Sequence, residues 1–361
     1  MICKQAVCYN FRNIENETLS FDREINILSG DNAAGKTSVL EGIYLCAQGR
    51  SHRTSREKDF LRFGSSLSGL TIVYEDRERE NRLGITWGEK GRRHCEKNGI
   101  PVRRMSEFIG NFRAVLFTPE HLSIVKEGPS MRRAFLDGAL SQLDRQYVAS
   151  LQRYTAILMR RNKILADAGI NPSLLETIDI FSRQLSEEAA FLSEKREEYT
   201  RRAEGYLQAV FEDMTGGREK PSLSYTGARS EEEFYRELTE NLPRELRFGS
   251  TLFGIHKDDI IVCLNGREAR SFASQGQQRS LSLALKLAEG EISREETGEY
   301  PVFLFDDVFS ELDGGRKEYL MKGLSGRQVI LTTCEKEGFS QNSNIIYAEN
   351  GRFRRAAADR R

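Results

Sequence analysis

The octet Gly30-Asp31-Asn32-Ala33-Ala34-Gly35-Lys36-Thr37 constrains the fold more than any other part of this 361-residue chain. An apolar run from Ile25 to Leu28 precedes it, and Ser38 to Ala47 has the pattern of a helix. Glycines let such a loop curl so that backbone N–H groups and the helix N-terminus face one anion, while Lys36 reaches the outer phosphates and Thr37 ligates a metal ion. The octet therefore predicts a P-loop that binds a nucleoside triphosphate with Mg²⁺, whereas the alternative is a glycine-rich turn that only starts a helix. The expected nucleotide contacts are Gly30, Asp31, Asn32, Ala33, Ala34, Gly35, Lys36, Thr37 and Ser38.

The composition indicates a folded protein but does not identify a binding partner. The 54 basic residues balance 54 acidic ones, which argues against a disordered or wholly basic chain but does not exclude local basic patches. No long uncharged apolar run suggests a membrane span, and Met1 to Asn10 lacks the apolar stretch of a signal peptide. The six cysteines are scattered, without a Cys-x-x-Cys pair. We therefore expect a soluble cytoplasmic protein with free thiols, no membrane partner and no zinc site.

A second nucleotide motif lies near the other end of the chain. The run from Pro301 to Phe305 is apolar and β-prone and ends in Asp306 and Asp307, the pattern of a buried central strand that presents carboxylates at its C-terminal edge. Asp306 is expected to hold the Mg²⁺, directly or through water. Asp307 is the candidate for positioning or deprotonating the attacking water. Two acidic residues at the end of a strand are common, so this motif indicates a nucleotide site only because the chain also has a P-loop.

Between these motifs lies a string that indicates the subclass. Phe272 to Arg279 precedes an apolar helix pattern from Leu281 to Leu287, and Ser274 is placed as its N-cap. Taken alone, this is a capped helix without a ligand. The order along the chain is Ser274-Gln275-Gly276-Gln277, a helix, an apolar strand, the two aspartates and then Ser310-Glu311-Leu312-Asp313. This order resembles the head of ABC-type ATPases, with its signature motif, Walker B strand and D-loop.

The resemblance implies an ATP site shared between two copies of the chain. In that family the signature of one subunit closes on the γ-phosphate held by the P-loop of the other. ATP would then lie between Lys36 of one copy and Ser274 of its partner, with Asp313 in the D-loop. ATP binding would drive homodimerisation, and hydrolysis or product release would let the dimer open, because a ligand shifts an equilibrium only through its different affinities for the two states.

The middle of the chain carries two amphipathic stripes. Apolar residues recur at steps of three and four from Leu136 to Leu158 and again from Leu174 to Leu192, with a break at Gly169 to Pro172. Two long antiparallel helices, inserted between two halves of the head, are the economical interpretation. A structural lobe that simply packs on the head is the alternative for most of these residues. The predicted domains are the N-terminal half of the head at 1–124, a helical arm at 125–247 and the C-terminal half of the head at 248–361.

From end to end the chain resembles the RecF family of bacterial recombination mediators. One segment departs from the family, because Gly254-Ile255-His256-Lys257-Asp258-Asp259 stands where the usual pattern is Gly-Pro-His-Arg-Asp-Asp, and lysine cannot make the bidentate contact of an arginine. The matching segments, in the order of the family, are Asn10 to Asn13, the P-loop with Leu40-Glu41, Gly49 to Arg53, Phe117 to Glu120, Arg132 to Asp137, the Ser274 string and Asp306 to Asp313.

What this resemblance implies is a DNA-dependent ATPase that binds gaps and junctions between single- and double-stranded DNA and, with RecR and RecO, helps to load RecA. Two other interpretations share the motifs: the ATP-binding subunit of a transporter, and an SMC-like scaffold with negligible turnover. Transporter subunits carry a histidine just past the strand after Walker B, whereas Gln328 to Leu331 leads here into Thr332-Thr333-Cys334. The missing histidine, the long helical insertion and Asp307 in place of the usual glutamate favour the DNA-repair branch.

Basic clusters provide candidates for the DNA contact. Such clusters are most often solvated faces, and phosphate binding needs several cations on one surface. The preferred patch, close behind the P-loop helix, is Arg50, Arg53, Arg56 and Lys58. Arg12 is expected to contact a phosphate or base of the nucleotide, with a surface ion pair as the alternative. His52 contacts nucleotide or DNA in one interpretation and is a polar loop residue in the other.

The expected architecture is an α/β head of the ABC type with an inserted α-helical arm. A mostly parallel sheet should hold the P-loop strand and the Asp306 strand on neighbouring positions, with the ligand at the carboxyl ends of the strands. An antiparallel β flank is predicted from Leu70 to Tyr74, Arg82 to Trp87 and His94 to Val102, with a turn at Asn98-Gly99. The basic tail from Arg354 onward is predicted to be disordered.

Overall fold

The computed structural model describes residues 1–88, 93–334 and 343–356, and the chain forms two compact units. Met1 to Ser123 together with the chain from Ser282 onward is termed the head unit. Ile124 to Leu281 is termed the arm unit.

The arm unit takes in more of the chain than the sequence suggested. Residues 248–281 were assigned to the ATPase head, but they lie in the arm unit. The reason is strand pairing, because Ile260–Leu264 forms an antiparallel ladder with Pro221–Tyr225 of the arm. The functional domains predicted from the sequence, at 1–124, 125–247 and 248–361, stay a prediction.

Strands and helices are numbered in chain order. The strands of the described residues are β1 (Ile2–Phe11), β2 (Ile14–Ser20), β3 (Ile25–Gly30), β4 (Leu67–Glu75), β5 (Glu80–Gly88), β6 (Arg93–Lys97), β7 (Ile100–Val102), β8 (Ala114–Phe117), β9 (Pro221–Tyr225), β10 (Ile260–Leu264), β11 (Arg267–Glu268), β12 (Val302–Phe305), β13 (Val329–Thr333), β14 (Asn344–Glu349) and β15 (Arg352–Arg355). Their α-helices are α1 (Lys36–Gln48), α2 (Met105–Phe108), α3 (Pro129–Leu143), α4 (Arg145–Asp167), α5 (Ile178–Thr215), α6 (Glu231–Glu240), α7 (Leu242–Phe248), α8 (Ala269–Phe272), α9 (Gln275–Thr297) and α10 (Gly314–Gly323).

One sheet of the head unit is antiparallel, in the order β2-β1-β4-β5-β6-β7. After the exposed Leu67, residues of β4 alternate between buried and half-buried, as expected for a strand with one face on the core. Asn98 and Gly99 join β6 to β7 with φ of 52° and 78°, the left-handed pair that a two-residue hairpin turn requires. The predicted antiparallel flank is therefore confirmed.

The other sheet of the head unit has the order β15-β14-β3-β13-β12-β8, and only the β14–β15 pair is antiparallel. The predicted, mostly parallel sheet is confirmed. The neighbouring positions predicted for the P-loop strand β3 and the Asp306 strand β12 are wrong, because β13 lies between them. β13 and β3 are the two central strands of this six-stranded sheet, and all residues of β13 are buried. Several strands here are continuous apolar runs, and such runs do not reveal their lateral order.

The basic tail begins inside this sheet. Arg354 and Arg355 belong to β15 and pair with Tyr347 and Ile346 of β14, so disorder from Arg354 onward is wrong for these residues. The backbone ladder with β14 outweighs the polar composition of the segment. Residues 357–361 of the predicted tail lie outside the described residues.

The first amphipathic stripe of the arm is divided between two helices. Asp144 ends α3 and caps α4, because its side chain accepts hydrogen bonds from the N–H groups of Gln146 at 2.7 Å and Tyr147 at 3.2 Å. A single helix through Leu158 is therefore wrong, since an apolar stripe runs unchanged across a short break. The antiparallel pair is α4 with α5, as shown by contacts of Ser150 with Glu188 and of Arg161 with Ser182.

The segment 254–259, for which the sequence indicated no role, is a polar centre of the arm unit. Asp259 accepts hydrogen bonds from Nε and Nη2 of Arg132 at 2.7 and 2.8 Å. Asp258 accepts one from Arg229 at 2.5 Å. A buried arginine is stabilised by such a carboxylate fork, so this segment ties α3 to the strands of the arm.

Two predictions from composition concern membranes and thiols. None of the helices in the described parts of the chain is long and apolar enough to cross a membrane. All six cysteines are free, which confirms the predicted thiols.

Candidate nucleotide-binding site

The loop between β3 and α1 has the backbone of an anion-binding turn. Ala33 and Gly35 adopt φ of 63° and 106°, and Gly35 is the N-cap of α1. These left-handed residues bend the chain so that successive N–H groups face the inside of the loop, at the positive end of the helix dipole. The backbone therefore has the conformation that a phosphate-binding loop needs, and the phosphate contacts of these residues stay a prediction.

Gly30, the last residue of β3, has no room for a side chain. A Cβ atom there would lie 2.2 Å from the carbonyl oxygen of Ala348, because β14 runs directly beside β3. Gly30→Ala is expected to displace one of these strands, to lower the free energy of unfolding by about 1–3 kcal/mol and to weaken ATP binding. Gly205→Ala is the matched control, since nothing lies within 4 Å of that position in α5. Thermal unfolding and binding of a fluorescent ATP analogue would check both, and a Gly30→Ala protein that matches Gly205→Ala would contradict the expectation.

Lys36 is the buried cation of the loop. Its side chain is 4% exposed, and Nζ donates hydrogen bonds to the carbonyl oxygens of Gly30 at 2.7 Å and Asp31 at 3.0 Å. Cys334 Sγ lies 3.5 Å away. Gly30 and Asp31 thus serve the site through their backbone carbonyls, which hold the ammonium group over the loop.

The two predicted metal ligands meet at the edge of the parallel sheet. Thr37 Oγ1 donates a hydrogen bond to Asp306 Oδ1 at 2.8 Å. Burial raises the pKa of Asp306, while hydrogen bonds from Thr37 and Thr332 oppose that rise. Mg²⁺ has octahedral oxygen ligands at about 2.1 Å, which places neighbouring ligands roughly 3 Å apart, so the hydroxyl and carboxylate fit this ion.

A cavity of about 630 Å³ opens at the loop. Two arginines of its lining, Arg12 and Arg53, donate hydrogen bonds to the fully buried carboxylate of Glu41, Arg12 at 2.6 and 3.0 Å and Arg53 at 3.3 Å. Burial disfavours the charge on Glu41, but hydrogen bonds from Arg12 and Ser51 outweigh burial and lower its pKa. The structure thus brings Asp307, both arginines and most of the P-loop to one cavity. Its lining is Arg12, Asn13, Asn32, Ala33, Ala34, Gly35, Lys36, Thr37, Ser38, Arg53, Asp59, Leu61 and Asp307.

Sequence patterns alone did not assign a role to Asn13 or Glu41. Asn13 Nδ2 donates to the carbonyl oxygen of Ala33 at 2.9 Å, and Ser38 Oγ donates to Asn13 Oδ1 at 3.2 Å. Both residues lie in segments that match the RecF pattern, which was the only available signal. Their roles depend on the end of β1 returning to the loop, and spacing along the chain does not show this.

Comparisons with known proteins agree with these contacts. A family model described as the RecF/RecN/SMC N terminal domain matches residues 2–352. The DNA replication and repair protein RecF of Agathobacter rectalis is 37% identical over 95% of this chain and 94% of that protein. RecF of Ruminiclostridium cellulolyticum is 37% identical over 97% of this chain and 98% of that protein. The chain belongs to the RecF family.

Solved structures support the same assignment. The recombination mediator protein RecF-ATP in the RecFOR pathway aligns with a TM-score of 0.91 at 31% identity, over 98% of this chain and 97% of that one. The related RecF-ATPrS structure has the same TM-score and identity and covers 99% and 98%. An Smc head domain from Pyrococcus furiosus aligns with a TM-score of 0.57 at 14% identity, which shows a shared fold only. Membership of the RecF family removes the transporter subunit as an interpretation.

The predicted RecF signature lies in the arm unit, at the start of α9. Ser274 Oγ accepts a hydrogen bond from the N–H of Gln277 at 3.3 Å, and Gln277 Oε1 accepts one from the N–H of Ser274 at 2.7 Å. This reciprocal capping box confirms Ser274 as an N-cap. In the head unit, Asp313 caps α10 by accepting from the N–H of Arg316 at 2.9 Å. The roles of the signature and of Asp313 toward ATP stay predictions.

The basic loop after α1 is divided between two environments. Arg53 lines the nucleotide cavity and is held there by Glu41, although 45% of its side chain is exposed, whereas Arg50, Arg56 and Lys58 are exposed residues of the same loop. His52 packs edge-on against Tyr44, with ring centroids 5.8 Å apart, and burial lowers its pKa to about 4. It is therefore neutral at pH 7 and adds no charge to a DNA contact.

Proposed function

We propose that this chain is an ATP-dependent DNA-binding protein of recombinational repair and replication restart, with a weak ATPase activity that DNA stimulates. The observation that carries the proposal is the 2.8 Å contact of Thr37 with Asp306, which joins the P-loop to the acidic strand at one cavity. Membership of the RecF family and the name RecF-ATP of a close structural relative support it.

Hydrolysis at this site rests on positioning and charge, as expected for phosphoryl transfer. The N–H groups at the start of α1 and the Lys36 ammonium bind the phosphates of ATP. Thr37 and Asp306 would hold Mg²⁺, which would neutralise charge that develops on the phosphate oxygens. Asp307 lines the same cavity and is the group that orients the attacking water and accepts its proton. Arg12, which lines the same cavity, adds a second cation.

Dimerisation on DNA is the switch that ATP controls. ATP held by one copy is covered by Ser274-Gln275-Gly276-Gln277 of the partner subunit, and Asp313 contributes through the D-loop. Ser274 as an N-cap supports this role, since the first N–H groups of α9 bind an anion well. Hydrolysis removes the γ-phosphate that both copies share, so the dimer opens and releases the DNA.

The deciding experiment measures ATP turnover and sedimentation with and without gapped DNA. Stimulation by DNA together with an ATP-dependent dimer is expected. A slow rate of ATP hydrolysis that does not change when DNA is added would instead support the SMC-like scaffold.

The exposed cations Arg50, Arg56 and Lys58 are proposed to contact DNA phosphates. Replacing all three with alanine is expected to weaken binding equally on different sequences and to lower the slope of log affinity against log salt by about 0.9 per lost phosphate contact. Arg103→Ala/Arg104→Ala is the control, because both arginines are exposed on the same unit. Fluorescence anisotropy at several salt concentrations would show the difference. An unchanged slope in the triple variant would rule out this patch.

RecO and RecR are the proposed partners, and loading of RecA is the step that they share with this chain. The RecFOR pathway named for the solved relatives supports this grouping. Action on chromosomal DNA would place the protein in the cytoplasm. Co-sedimentation with purified RecR on gapped DNA tests the partnership.

A further inference from the structure

Thr332, near the end of the central strand β13, contacts both aspartates of the nucleotide site. Its Oγ1 donates a hydrogen bond to Asp306 Oδ1 at 2.8 Å and accepts one from the N–H of Asp307 at 2.9 Å. The residue is 1% exposed, so water does not compete for these bonds. A carboxylate only accepts and a backbone N–H only donates, so a hydroxyl, which does both, is the group that satisfies this position.

Asp307 needs such support because its backbone is strained. Its φ and ψ are 51° and 18°, in the left-handed region that residues other than glycine seldom adopt. The N–H is fixed by Thr332, and the carbonyl oxygen accepts a hydrogen bond from Ser310 Oγ at 2.7 Å. Together the two bonds hold the turn that directs Asp307 toward the cavity.

Asp306 is held by hydroxyl groups from two different elements. Thr37 and Thr332 donate to the same oxygen, each at 2.8 Å, from the P-loop helix and from β13. Thr37 is itself expected to ligate Mg²⁺ through its oxygen. The described residues that line the cavity include Asp307, and Thr332 is linked to them through its hydrogen bond with the Asp307 N–H.

We propose that Thr332 is a positioning residue that couples the Mg²⁺ carboxylate Asp306 to the hydrolytic carboxylate Asp307. This inference rests on the proposed role of Asp307. The Thr332 hydroxyl, near the end of β13, fixes the positions of both aspartates that follow β12. Loss of this hydroxyl should therefore weaken metal binding and slow hydrolysis together.

The test compares Thr332→Val, which keeps the shape and removes the hydroxyl, with Thr332→Ser, which keeps the hydroxyl. Thr332→Val is expected to lower kcat about 10- to 100-fold, the usual effect of losing an outer partner of a metal site. ATP affinity measured in EDTA should stay unchanged, whereas the gain in affinity on adding Mg²⁺ should shrink. Mn²⁺ affinity, measured by electron paramagnetic resonance with ADP bound, should fall in parallel. Thr332→Ser should recover most of each loss.

Asp307→Asn separates this inference from the proposed function. Thr332→Val is introduced into the wild-type protein and into Asp307→Asn, and single-turnover hydrolysis is measured in both backgrounds. The substitution should slow hydrolysis less in Asp307→Asn, because Thr332 acts partly through the Asp307 carboxylate. Wild-type hydrolysis by Asp307→Asn would sink the proposed role of Asp307. An inactive Asp307→Asn with a fully active Thr332→Val, or a Thr332→Ser as slow as Thr332→Val, would overturn the inference alone. Thr332→Ala provides the same comparison if valine lowers the unfolding midpoint.

Discussion

Equal amounts of Lys36→Ala and Ser274→Arg chains are expected to regain part of the ATP-dependent dimerisation and hydrolysis that each variant lacks alone. Lys36→Ala should weaken ATP binding about 10- to 100-fold, because hydrogen bonds to charged groups contribute ~1.5–3 kcal/mol. Ser274→Arg should keep ATP binding but block closure, since a large cation replaces the small cap. In a mixed dimer one site carries both changes and the other carries neither.

The measurement is sedimentation and ATP turnover of each variant and of the mixture, with ATP and gapped DNA present. Nucleotide binding to Ser274→Arg, followed with a fluorescent analogue, is the control that its P-loop is intact. A mixture as inactive as its components would contradict a site shared between copies. Normal dimerisation of either variant alone would contradict it as well.

Glu245→Ala is expected to lower the free energy of unfolding by about 3–5 kcal/mol, the cost of leaving a buried charge without its partner. Glu245 and Arg161 are both 0% exposed, and their charged groups lie 2.6 Å apart in the arm unit. Arg161 also donates hydrogen bonds to Ser182 at 3.1 Å and to Thr251 at 2.8 Å. These hydroxyls are neutral, so they leave its charge uncompensated when Glu245 is removed.

Urea denaturation followed by helical circular dichroism would measure this effect. The control is Arg161→Met/Glu245→Leu, which replaces the pair by apolar groups of similar length and should cost much less, because no charge remains buried. Equal losses in the single and double variants would mean that packing, rather than the unpaired charge, sets the cost.

Local motifs explain why so much of the nucleotide site could be predicted. The P-loop residues are consecutive, and the strand, loop and helix that they form are adjacent in the chain. Ser274 was recognised for the same reason, since a cap and its helix lie within four residues. Order along the chain then indicated the RecF family, which the comparisons confirmed.

Predictions failed where a result depended on lateral position. The apolar runs of β3, β12 and β13 look alike, so the insertion of β13 between the other two strands could not be read from them. The break at Asp144 was missed because an N-cap can interrupt a helix without interrupting its apolar stripe. The pairing of β10 with β9, which brings residues 248–281 into the arm unit, likewise had no signal in the sequence.

The sequence by itself determined the chemistry of each half of the nucleotide site: a P-loop with Lys36 and Thr37, and a strand that ends in two carboxylates. Only the tertiary structure decided how they meet, since Thr37 and Asp306 are 269 positions apart. It also showed the pairing of Arg12 and Arg53 with Glu41 and the bridge of Thr332 between the aspartates. The physical reason is that hydrogen-bond partners depend on which strands lie side by side, and strand order is a property of the whole sheet.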